Sequence, residues 1–168
     1  MKLAVLYDSK SGNTRQAAEW IAAGMERIDG VQARAYYIGE LDADYVKEAA
    51  GVVIGCPVYA AAMTPDLRVW LQAEAGKLGM AGKLGGAFAT EQYTHGGAEL
   101  AMQSILMIEL VYGMLCYSGG AACGRPVIHI GPVAVNGNVE PHNGMEHYEE
   151  TLKIYGERFA KKAAELFG

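Results

Sequence analysis

The sequence contains no GxxxxGK[ST] run and no GxGxxG run, which excludes a nucleoside-triphosphate loop and a dinucleotide fingerprint. Cysteine is scarce: Cys56, Cys116 and Cys123 are odd in number and share no metal-ligand spacing. Reduced thiols in a cytoplasmic protein are the expectation. Basic charge is also short, with 14 Lys and Arg against 19 Asp and Glu. The net charge of −5 and the pI near 5.4 argue against a nucleic-acid partner and against an anionic membrane surface. No block of like charge marks a disordered tail. Long apolar runs are missing too. The most apolar region, 98–117, carries Glu99, Gln103 and Glu109, so no membrane span is expected, and Met1-Lys2 leads straight into a short strand without a secretory cleavage site.

What is present suffices for one domain over residues 1–168, since 51% of the residues are apolar and no linker or repeat interrupts them. Lys2–Tyr7, Val31–Ile38, Gly51–Cys56 and Lys83–Thr90 read as strands, and a fifth begins near Met114. Between them, Ala17, Trp20, Ile21, Gly24, Met25 and Ile28 fall at helical spacing. Leu41–Ala50 reads as a short helix, a helix opening at Pro65 carries Leu67, Trp70 and Leu71 on one face, and Ala98–Gly113 is a further helix. Tyr148, Leu152, Tyr155, Phe159 and Leu166 define the core face of a last helix. Alternating strands and helices imply an α/β fold, a doubly wound five-stranded parallel sheet in the order 2-1-3-4-5 with helices on both faces. Ser118–Asn138 is Gly-rich and unassigned, with Pro126–Gly131 a candidate to complete the fifth strand.

In that topology the loops after strands 1, 3 and 4 converge on one site. The first is Ser9-Lys10-Ser11-Gly12-Asn13-Thr14, a hydroxyl-rich loop between a buried strand and a helix N-terminus. Unpaired amides and the positive end of the helix favour an anion there, and the hydroxyls add neutral donors. An empty helix cap would need one such side chain, Asn13 or Ser11, whereas here four cluster around Gly12. The compact form suits a terminal phosphomonoester such as that of FMN. Lys10 is within reach of a phosphate or is simply solvated.

On these residues the chain resembles the flavodoxin-like flavoproteins, whose phosphate loop reads hydroxyl-x-[S/T/Y]-G-[N/H]-[T/I], and the likeness covers essentially the whole chain. A narrower resemblance, to the tryptophan-repressor-binding-protein type of NAD(P)H:quinone oxidoreductase, rests on Gly55-Cys56-Pro57-Val58-Tyr59, on Met63 with Leu67-Arg68-x-x-Leu71, on Gly82-Lys83-Leu84 and on Gly96-Gly97-Ala98-Glu99. The resemblance implies that Ser9 and Ser11 to Thr14 bind the FMN phosphate. It further implies that Pro57, Val58, Tyr59 and Ala60 wrap the isoalloxazine edge, and that Thr90, Glu91, Gln92, Tyr93, Gly96 and Gly97 close over the other side. Tyr59 and Tyr93 are candidates to cover the ring, each with a half-buried packing role as the alternative. The implied reaction passes electrons from NAD(P)H to a quinone-like or protein acceptor; a flavodoxin-type carrier without small-molecule turnover is the alternative.

Several features depart from that pattern. Tyr112 stands where the quinone-reductase type has a histidine near the flavin. Glu91 places a carboxylate in a loop that is otherwise neutral; facing the ring it would lower the reduction potential, and a solvated position is the expectation. The chain is also shorter between strands 2 and 3, where the subfamily carries an insertion that helps build a tetramer. Cys56 is expected as a small buried thiol and His95 as an exposed loop residue. His129, His142 and His147 form no ligand pattern, so no metal is expected. A receiver domain would need a phospho-acceptor Asp where Cys56-Pro57 stands, and a low-molecular-weight phosphatase a Cys-x5-Arg loop after strand 1. The helix at 98–113 is apolar all round, which predicts a homodimer or higher oligomer through it.

Overall fold

A computed structural model describes residues 1–137 and 144–168; Asn138 and His142 lie outside the described residues. The sheet is parallel and ordered β2 (Gln32–Tyr37), β1 (Lys2–Tyr7), β3 (Gly51–Pro57), β4 (Leu84–Glu91), β5 (Leu115–Cys116), with β6 (Val133–Val135) also paired to β4. The order 2-1-3-4-5 therefore holds, but the fifth position is filled by two strands. β5 pairs with Leu84 and Gly85 at the start of β4, and β6 pairs with Ala89 to Glu91 at its end. The edge strand is broken between them by an excursion over residues 117–132. Pro126–Gly131 does not complete the strand. That role falls to Val133–Val135, directly after Pro132, whose carbonyl accepts the Ala89 amide.

Both faces of the sheet are covered, which explains why β1 and β3 read as continuous apolar runs. Ala4, Leu6, Val52, Ile54 and Cys56 face α2 (Ala43–Glu48), α3 (Pro65–Ala73) and α4 (Ala98–Val111). Leu3, Val5, Tyr7 and Val53 face α1 (Asn13–Met25) and α5 (Glu149–Phe167). Thr64 caps α3 by accepting the Leu67 amide at 3.3 Å, with Pro65 at the first turn as expected. Lys83 is buried, and its Nζ donates to the Lys47 and Ala49 carbonyls at 2.7 and 2.5 Å, satisfying the C-terminal end of α2.

Some core assignments shift. In α1 the buried face is Ala17, Ala18, Ile21, Ala22, Gly24 and Met25; Trp20 is half-buried and Ile28 lies beyond the helix end. In α5 Ala160 and Ala163 are buried while Leu166 is exposed. α4 is not enclosed on all sides. Ala98, Ala101, Met102, Ile105 and Glu109 face inward, and Leu100, Met107, Leu110 and Val111 are left to solvent, Val111 at 82% exposure. The helix thus turns a carboxyl group into the core and leucines outward. No helix among the described residues is long and apolar enough to cross a membrane.

Candidate functional site

β1, β3 and β4 end side by side, and the loops that leave them enclose a cavity of about 620 Å³, within the usual range for small-molecule sites. Ser11, Asn13, Pro57, Val58, Tyr59, Ala60, Thr90, Glu91, Gln92, Tyr93 and Gly96 line it, all of them expected from sequence. Ala61 and Asn136 line it as well, outside that expectation. Asn136 follows β6, and its amide donates to the Glu91 carbonyl at 2.8 Å, so it arrives only because the broken edge strand rejoins the sheet there. Ala61 carries a local signal, since it directly continues the loop assigned through Ala60.

The remaining expected residues stand behind the wall. Ser9 Oγ accepts the Gly12 amide at 3.2 Å and the Arg15 amide at 3.4 Å, so it shapes the loop. Gly12 takes a positive φ of 94° as the N-cap of α1, a conformation that disfavours a side chain, and it offers no side-chain cap of its own; Ser9 meets only the Arg15 amide of the first turn. Among the described residues no acceptor meets the amides of Asn13 and Thr14, which leaves a bare helix N-terminus opening at the cavity. Thr14 is buried and its hydroxyl shares a 2.8 Å hydrogen bond with Thr90, tying the first loop to the end of β4. Lys10 does not point into the cavity; its ammonium is paired with Asp66 at 2.6 Å, which raises its proton affinity.

The loop after β3 turns tightly. Tyr59 and Ala62 exchange both backbone hydrogen bonds at 3.1 Å, and the central residues Ala60 and Ala61 have φ of 51° and 59°. Such a turn favours glycine or asparagine, so two alanines there hold backbone strain at the rim of the site. Gly97, at φ 98°, backs onto this turn: a Cβ on it would lie 2.5 Å from that of Ala61. The turn and the N-terminus of α4 are thereby locked together. Tyr59 and Tyr93 are 47% and 49% exposed, flanking the cavity mouth from separate loops.

Glu91 corrects the expectation of a solvated carboxylate. It is partly buried, and its Oε2 accepts the Ala98 amide at 3.2 Å, capping α4 from the end of β4. Burial pushes its carboxyl above the ordinary range, against the pull of the Ala98 and Gly96 amides. Tyr112 lies far from the site of its own chain. α4 rises about 20 Å from its N-terminus to Tyr112, which bonds through its hydroxyl to the Leu71 carbonyl at the opposite end of the sheet. Cys56 is buried behind Pro57, and desolvation pushes its thiol up to about 12, so it is inert as a nucleophile. His95 is exposed outside the cavity lining.

The cavity fits FMN. The N-terminus of α1 with Ser11 and Asn13 offers donors to a phosphate, while Pro57 to Ala61 and Tyr93 line the rest of a cavity whose volume suits a small-molecule cofactor.

No protein-family model matches the chain. It is 34% identical over 167 residues to a flavodoxin of Clostridium saccharobutylicum, covering 99% of this chain and 100% of that protein. It is 27% identical over 207 aligned positions to an NAD(P)H dehydrogenase (quinone) of Chromohalobacter salexigens, covering 99% of each. Among solved structures, a flavodoxin from the domain Archaea superposes with a TM-score of 0.76 at 22% identity, covering 98% of this chain and 99% of that one.

Proposed function

The chain belongs to the flavodoxin family of FMN-carrying electron-transfer proteins, and from that premise we propose that it binds FMN between the ends of β1, β3 and β4 and passes electrons from NAD(P)H to a quinone-like acceptor. The single observation that carries the cofactor assignment is the bare N-terminus of α1 opening into the cavity beside Ser11 and Asn13. FMN, when bound, supplies a centre that takes up and releases electrons. The first turn of α1 would hold the phosphate through the amides of Asn13 and Thr14. The turn at Tyr59–Ala62 and the segment Thr90–Tyr93 would hold the ring edges, and Tyr59 and Tyr93 would limit water access from the mouth. No protein group is assigned a proton-transfer role, and the free cysteines agree with a cytoplasmic setting.

A second reading, a carrier that exchanges electrons only with protein partners, is favoured by the 34% identity to a flavodoxin over essentially the full length. One series of spectra separates the two. FMN is expected to survive desalting with its visible bands, and to bind roughly a hundredfold more tightly than riboflavin, which lacks the phosphate. Equal affinity for the two flavins would show that the phosphate loop has been misassigned. Bleaching by NADPH and recovery with a soluble quinone supports the oxidoreductase; bands that NADPH leaves unchanged support the carrier.

We also propose that the outward face of α4, with Leu100, Met107, Leu110 and Val111, meets the same face of a second copy. Four large apolar side chains exposed on one helix suit an interaction surface. Light scattering at micromolar concentration is expected to give the mass of a dimer or higher oligomer, and a monodisperse monomer refutes it.

A further inference from the structure

β5 lays an exposed thiol against a buried acid at the start of β4, the end of that strand away from the cavity. Cys116 Sγ lies 3.6 Å from Glu109 Oε2 and 3.7 Å from the Leu106 carbonyl oxygen, so the thiol sits against α4. Glu109 is 1% exposed, and its Oε1 has no hydrogen-bond partner among the described residues. Gly85 gives the carboxyl its room, since a Cβ there would stand 2.5 Å from Oε2. One oxygen of a buried acid therefore meets a thiol while the other is left unused, an arrangement that a packing role does not require.

The two groups hold two protons between them, and the first is lost from the member that is cheaper to charge. Glu109 is enclosed, whereas Cys116 lies on a two-residue edge strand open to water. Burial raises the Glu109 carboxyl well above its ordinary range, with the Cys116 and Gly86 hydrogen bonds opposing it. Desolvation and a Glu109 carboxylate would together push the Cys116 thiol up to about 12. The proton that burial keeps on Glu109 removes the second of these causes and puts a hydrogen-bond donor in its place. The other titratable groups around the pair are the Tyr117 and Tyr155 phenols, both neutral at pH 7, and among the described residues no cation acts on either member.

We propose that Cys116 is a peroxide-reactive thiol, oxidised to its sulfenic acid with protonated Glu109 as the donor that holds the attacking sulfur in its anionic form. The thiolate sulfur attacks one oxygen of the peroxide. An S–O bond forms, the O–O bond breaks, and the electron pair leaves with hydroxide. Sulfur is oxidised by two electrons and the peroxide is reduced. The proton that the thiol gave to water neutralises the hydroxide, so thiol and hydrogen peroxide yield sulfenic acid and water. The product brings a hydroxyl to a carboxyl that has an oxygen to spare. Cys123 is also exposed but has only the Tyr117 hydroxyl beside it, at 3.5 Å, and serves as an internal reference.

The test treats the full chain with hydrogen peroxide in the presence of dimedone and follows sulfenic adducts at each cysteine by peptide mass spectrometry. At pH 7 Cys116 is expected to react about tenfold faster than Cys123, the order of one hydrogen bond to a charged group. Glu109→Leu removes the donor and is expected to slow Cys116 about tenfold while Cys123 keeps its rate. Glu109→Gln, whose amide still donates, is expected to retain most of the Cys116 rate. From pH 6 to pH 10 the ratio of the Cys116 rate to the Cys123 rate is expected to fall as Glu109 ionises, which a merely structural role for Glu109 would not produce. That series uses the wild type and decides the matter even if Glu109→Leu does not fold. A Cys116 that reacts no faster than Cys123, an unchanged Cys116 rate in Glu109→Leu, or a ratio that fails to fall with pH overturns the proposal.

Discussion

Gly156→Ala is expected to destabilise the protein by about 2–3 kcal/mol, although alanine is the better helix former by about 1 kcal/mol. α1 and α5 cross in direct backbone contact through a reciprocal pair of glycines. A Cβ on Gly156 would lie 2.0 Å from the Ile21 carbonyl oxygen, and a Cβ on Gly24 would lie 2.0 Å from that of Lys153. Both obstacles are helix backbone, so no side chain can rotate away and the helices must separate. Separation loosens Leu152, Tyr155 and Phe159, which pack beside Ile21 and Met25 in the core on that face of the sheet. Because one separation would accommodate both methyl groups, the double variant Gly24→Ala/Gly156→Ala is expected to cost clearly less than the sum of the singles. Guanidinium unfolding of the four proteins measures this. Singles within about 0.5 kcal/mol of the wild type would show that the crossing tolerates a wider spacing.

Glu109→Gln is expected to stabilise the protein by an amount that grows with pH. Glu109 is 1% exposed on the inward face of α4, Oε1 has no partner among the described residues, and Oε2 lies 3.6 Å from Cys116 Sγ. The carboxyl fits only because Gly85 beneath it has no side chain; a Cβ there would stand 2.5 Å from Oε2. Burial raises its proton affinity well above the carboxylate range, with the Cys116 and Gly86 hydrogen bonds opposing it only weakly. The folded state therefore keeps a proton that the unfolded chain loses above pH of about 4. The stability attached to that proton is fully present below the unfolded value and falls as pH rises, by up to about 1.4 kcal/mol per pH unit, until the folded carboxyl ionises. The amide of the variant has no such proton to lose. Denaturation of both proteins at pH 5, 6, 7 and 8 should give a difference that widens across the series. A constant difference would mean that Glu109 is ionised in the folded state.

The site was legible in the sequence wherever its determinants are local. Ser9 to Thr14, Pro57 to Ala60 and Thr90 to Gly97 each sit between a strand and a helix, and in a doubly wound sheet the ends of adjacent strands must converge. Ser9, Thr14 and Gly97 belong to the right loops but act from behind the cavity wall, a distinction set by hydrogen bonds across the sheet such as Thr14 to Thr90. Asn136 was not legible, because its place depends on the β5–β6 break. Nor was the capping role of Glu91, since the Ala98 amide it accepts opens a helix seven residues further on.

Taken alone, the sequence determined the strand order, both buried faces of β1 and β3, and the clustering of hydroxyls in the loop that opens α1. Each of these follows from periodicity and from the intrinsic properties of strand and helix ends. Tertiary structure decided which carboxyl groups are buried, which apolar residues of α4 remain outside, and where two glycines let helices touch. Those outcomes depend on what lies opposite a side chain in space. Glu109 over Gly85 and Gly156 against Ile21 are pairings that only the folded chain creates.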